Sequence, residues 1–177
     1  EQRQEIAGLV EMLADAQLWW RPGEGRWSIG EHVDHLPRAA AAYHTAIDAA
    51  IERARAAGWL AAGPYRHGWI GTWFRRSMEP PVRVRVRTLP SLEPVAARPK
   101  AALLEDYLRA HREFDALLLR ADGVDLGRAR LRSPFLKLLR LSVGQALAVL
   151  LAHERRHAWH MRKVLSNPAF PASPPGR

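Results

Sequence analysis

The sequence predicts an all-α fold: a four-helix bundle with a long irregular crossover between its second and third helices. Three observations predict it. Apolar residues recur at helical spacing in four separate segments. Two of those segments open on a serine with Glu or Gln three positions later. The stretch between the second and third, residues 58 to 98, is interrupted by prolines and glycines and is too long for an ordinary inter-helix turn. A chain of 177 residues, 47% hydrophobic, suffices for one domain with a proper core. We place that domain at 1–167 and read 168–177 as a proline-rich, loosely held tail.

The first helix is expected from about Gln2 to Trp19, with Ile6, Leu9, Val10 and Leu13 on one face, and Arg21-Pro22-Gly23 breaks it. The second begins after Trp27. Ser28 and Glu31 form a capping box in which each side chain satisfies a free backbone N–H. It runs to about Ala57 and Gly58 ends it; its alanine-rich middle (Ala39 to Ala42, Ala46, Ala49, Ala50) lets a neighbour approach closely. In the crossover, a short helical piece is expected around Trp69 to Arg76. Val82 to Arg87 alternates valine and arginine and reads as an extended surface segment. The third helix spans about Lys100 to Arg120, with Leu103, Leu104, Tyr107, Leu108, Phe114 and Leu118 on its apolar face. A basic linker and a short apolar run to Leu139 follow it. Ser142 with Gln145 caps the fourth helix, Val143 to about Leu165, which Asn167-Pro168 closes.

Composition narrows the function. Cysteine is absent, which excludes disulfides, thiolate metal sites and a cysteine nucleophile, and fits a cytoplasmic location. No apolar run reaches the ~20 residues needed to cross a bilayer, and no secretory leader is recognised. The net charge is +9, which favours anionic partners in general. The arginines are spread widely, however, and no helix-turn-helix, zinc-finger or RNA-binding signature accompanies them. Nucleic acid is therefore not the expected main partner, nor is a membrane.

The histidines are the distinctive residues. There are eight, and three lie together on the fourth helix: His153, His157 and His160. At about 100° per residue, His157 sits about 40° from His153 and His160 about 20° to its other side. That face continues through Ala146, Val149 and Val164, so it points inward. Imidazoles buried together without partners are costly. A metal ion resolves the cost, and histidines at i and i+4 can reach one ion. The third ligand must come from another helix. His35 is the best candidate, on the same stripe as Ala39, Ala42 and Ala46, with His32 one turn earlier. His44, His67 and His111 read as surface or packing residues.

Two stretches also carry a family likeness. Trp27-Ser28-Ile29-Gly30-Glu31-His32-Val33-Asp34-His35-Leu36 resembles the W-S-x-x-E-x-x-x-H-L signature of the DinB-like (YfiT-like) metal-binding superfamily. His153 to His160 resembles its second signature, roughly H-x-x-x-H-x-x-Q. The resemblance covers nearly the whole chain. It implies a four-helix bundle in up-down-down-up order, a three-histidine site for zinc, nickel or a similar divalent ion, and homodimers. Carried over by position, the ligands are His35, His153 and His157. The chain departs from the pattern at His160, where the family usually has glutamine.

Three imidazoles leave a tetrahedral ion one open position. Such an ion can acidify a water for hydrolysis or the thiol of a small cofactor; relatives implied by the resemblance include enzymes that use low-molecular-weight thiols. His160 and His32 are the candidate catalytic acid–base groups. Tyr43 is a candidate for lining the pocket, and Arg38 for binding an anionic substrate. The expected function is a metal-dependent enzyme acting on a small molecule by hydrolysis or thiol transfer. The alternative is a non-catalytic metal-binding structural or stress-response protein, favoured if His160 fills the last position.

Overall fold

A computed structural model describes residues 1–61, 65, 69–81, 88–95, 97–136 and 138–172. The alternating run at 82–87, His67 and the end of the tail lie outside the described residues. The fold is all-α with one small hairpin. Its elements are α1 (Gln2–Met12), α2 (Asp15–Leu18), α3 (Ile29–Ala56), α4 (Trp69–Met78), a 3-10 turn (Pro90–Leu92), α5 (Lys100–Ala121), β1 (Arg130–Arg132), β2 (Arg140–Ser142) and α6 (Val143–Leu165). The long α3 packs against both α5 and α6, α1 packs against all three, and α4 covers α6.

The helix starts and stops follow from local chemistry. Ser28 Oγ accepts from the backbone N–H of Glu31 at 3.2 Å, and the Glu31 carboxylate accepts from the N–H of Ser28 at 2.8 Å. Ser142 and Gln145 repeat the arrangement at the start of α6, at 3.2 and 2.9 Å. Past α3 and α5 the chain turns through Gly58 and Gly123 at φ of 66° and 72°, a conformation glycine adopts at no steric cost. Gly30 serves a different end. A Cβ there would sit 2.8 Å from the Trp19 ring, so the missing side chain lets that indole close over the start of α3.

Two expectations are corrected. The first helix does not continue to Trp19. It stops at Met12, with Leu13 and Ala14 extended, and restarts as the single turn α2. The Lys100 ammonium, from the start of α5, donates to the carbonyls of Glu11 (3.1 Å) and Leu13 (2.9 Å). A distant cation thus satisfies carbonyls that a continuing helix would have used. The stretch after α5 is not a plain linker. Residues 130–132 and 140–142 pair antiparallel, with Leu131 facing Leu141 into the core and Arg132 opposite Arg140 on the outside. Three-residue strands are too short to announce themselves by alternation.

The buried apolar residues form two clusters along the helices. One gathers Ile6, Val10, Leu18, Ile29, Val33, Leu103, Tyr107 and Met161 near the start of α3. The other gathers Ile47, Ile51, Phe114, Leu117, Leu131, Leu141 and Leu147 near its end. His32 and His35 lie on α3 at the level of the first cluster, among Ile29, Val33 and Leu36.

Candidate metal centre

α3 and α6 bring the histidines together. His35 is carried on the second turn of α3, just past the cap that fixes where the helix begins. His153 and His157 are one turn apart on α6. Each offers one ring nitrogen to a common point, and these atoms all lie within 4.8 Å of one another. His35 Nε2 is 3.3 Å from His153 Nε2, which is 3.1 Å from His157 Nε2. With metal–nitrogen bonds of about 2.05 Å, two nitrogens on a tetrahedral ion lie about 3.3 Å apart. The spacing therefore fits a divalent ion. His35 and His157 are buried and His153 is half-buried.

The outer nitrogens support the same reading. His35 Nδ1 lies 2.7 Å from the Leu92 carbonyl. A carbonyl only accepts, so Nδ1 carries the proton and Nε2 presents its lone pair. His157 Nδ1 lies 2.9 Å from His32 Nδ1. With Nε2 facing the centre, His157 donates from Nδ1 and His32 accepts. Trp27 forms one wall, its ring centroid 5.0 Å from His35, 5.3 Å from His32 and 5.9 Å from His157, nearly parallel to the last. The residue before the cap thus packs on the fourth residue of the helix, a hydrophobic staple whose inner partner is His32.

Electrostatics keep the rings neutral, as ligation requires. Burial, then the neighbouring imidazoles, holds His32 and His153 down to about 3. Burial and the same neighbours hold His157 well below the ordinary histidine value. His35 is lowered mainly by burial, against the opposing pull of its bond to Leu92. The acid beside it is otherwise engaged: buried Asp34 accepts from Arg38 (2.9 Å), Arg98 (3.0 Å) and the Val95 N–H (3.2 Å). These bonds tie the end of the crossover to α3 and hold Leu92 over His35.

His160 stacks face to face on His32, rings 5.5 Å apart and 7° from parallel, and lies 6.4 Å from the His157 ring. Tyr43 does not line this site. Its hydroxyl meets Ser133 at 3.0 Å in the other apolar cluster. Arg38, considered for a substrate, is paired with Asp34. His44 is buried and His111 pairs with Glu154 at 3.0 Å, so both belong to the interior. Sequence reasoning missed the Leu92 carbonyl, which has no sequence signal at all, and Asp34. Trp27 opens the first motif, but the sequence assigns it no place in the site; the structure sets its ring against His32, His35 and His157.

The sequence model of the DinB superfamily matches residues 1–161. No curated protein and no solved structure matches the chain.

Proposed function

The chain belongs to the DinB superfamily, and from that premise and the convergence of His35, His153 and His157 we propose a metal-dependent enzyme that acts on a small molecule by hydrolysis or by transfer of a low-molecular-weight thiol. The observation that carries the proposal is the set of three neutral imidazoles, two of them oriented through their outer nitrogens by Leu92 and His32. Zinc or nickel is the ion we assign by family likeness; imidazoles accept copper and iron as well. Among the described residues no fourth side chain joins the group able to meet one ion, which favours an open position. A bound ion would supply Lewis acidity, bringing the pKa of a water or thiol toward neutrality. Around it, Leu92 and His32 orient the ligands, Trp27 excludes water from one side, and His32 and His160 are the candidate acid–base groups. The function as a homodimer is part of the same proposal, by family likeness.

Elemental analysis of protein purified without a metal-affinity tag should find about one divalent ion per chain, and His153→Ala should abolish it. Full metal content in that variant overturns the ligand assignment. Titrating the cobalt-substituted protein with a low-molecular-weight thiol separates the two classes. A new thiolate-to-cobalt charge-transfer band supports the enzyme; an unchanged spectrum supports the non-catalytic metal-binding alternative, in which His160 closes the coordination sphere.

A further inference from the structure

The hairpin that joins α5 to α6 carries an unusual surface. Leu138 at its turn is 100% exposed and Leu136 is 54% exposed. The described residues on either side of its tip are tied together by hydrogen bonds. Ser133 Oγ accepts from the N–H groups of Phe135 (3.3 Å) and Leu136 (3.2 Å), Ser133 N–H donates to the Leu139 carbonyl (2.8 Å), and Leu139 N–H to that of Leu136 (2.7 Å). The buried Tyr43 hydroxyl holds Ser133 from beneath, and Phe135 packs edge-on against the Tyr43 ring. The exposed leucines thus flank a base anchored through Ser133 and Phe135 to the core.

Immediately behind them stand exposed arginines. Arg132 and Arg140 are directly opposite cross-strand partners, with Arg130 two residues further back. None of the three makes an ion pair among the described residues. Arg53, also exposed, reaches the Arg130 carbonyl at 3.3 Å and adds to the patch. Like charges directly opposite across two strands repel, so this arrangement gains from an anionic partner. Apolar tips ahead of a basic base match a lipid surface: leucines enter the acyl boundary while arginines meet the headgroups. A nucleic acid would satisfy the arginines but give the fully exposed Leu138 nothing.

We propose that this hairpin docks the protein on an anionic membrane surface, lying on the bilayer and not spanning it; among the described residues no helix is long and apolar enough to cross one. The inference is independent of the metal centre.

Flotation with vesicles tests it. The protein should bind phosphatidylcholine vesicles containing phosphatidylglycerol and not pure phosphatidylcholine ones, with affinity falling as salt rises. Each of Arg132→Gln and Arg140→Gln should weaken binding about fivefold. Leu136→Ser with Leu138→Ser should weaken it at least about tenfold, with an unchanged melting curve because both side chains are exposed. No binding to the anionic vesicles at low salt overturns the proposal. So does binding that the leucine substitutions leave untouched, or a preference for duplex DNA over the vesicles. Leucine-dependent self-association without vesicle binding overturns it in favour of a second copy of the chain.

Discussion

Two polar groups meet adjacent residues of α6, one built around His153 and His157 and one around Glu154 with His111 and Tyr107 of α5, and they are balanced in opposite ways. His153 and His157 look toward His35 and His32, imidazole facing imidazole. One residue along, Glu154 looks toward α5, where it accepts from the Tyr107 hydroxyl at 2.7 Å and meets His111 at 3.0 Å. Burial pushes the Glu154 carboxyl up, but the bonds from His111 and Tyr107 outweigh it and leave it below its ordinary value. The second group holds its own anion and is complete within the protein. The first gathers ring nitrogens within 4.8 Å of one another, with no carboxylate among them, an arrangement able to hold a cation. Buried histidines alone therefore do not mark a metal site. What the rings face decides it.

Acid should distinguish the groups most strongly. The folded pKa values of His32 and His153 are near 3, against 6.5 for a free histidine. Between these values the unfolded chain binds more protons than the folded one, so stability falls as pH falls. Glu154, also lowered, contributes in the same direction but only below its free value of 4.5. The metal-free protein should lose stability from about pH 6.5 downward, well before the carboxylate titrates, in melts recorded across that range. His153→Gln should flatten the upper part of the profile; an unchanged profile would break the contrast.

His157→Ala should come next, lowering zinc affinity at least about 100-fold in a chelator competition, more than loss of an outer partner costs. Glu154→Gln should leave zinc affinity within about twofold, since it belongs to the self-sufficient group. His32→Ala should fall between, at about 10- to 100-fold, because toward the metal it acts through its bond to His157. Denaturant melts sharpen the other side. Glu154→Gln should cost about 1–3 kcal/mol by leaving His111 and Tyr107 without their anion. Tyr107→Phe should cost about 1 kcal/mol for the single bond. If Glu154→Gln released the metal as readily as His157→Ala, the two groups would be one.

The sequence by itself determined three long helices and singled out the histidines that the fold brings together. Caps at Ser28 and Ser142 and the apolar spacing are short-range features, and α3, α5 and α6 begin and end within a residue or so of where they were expected. The turn-apart pair His153 and His157 is likewise local, and the first motif placed His35. Tertiary structure decided the rest. Lys100 ends α1, the Leu92 carbonyl fixes the His35 tautomer, and Glu154 removes His111 from the pool of free imidazoles. Each depends on a backbone oxygen or a residue more than forty positions away in the chain. Backbone carbonyls look alike at every residue, and periodicity is blind to which distant side chain will meet them.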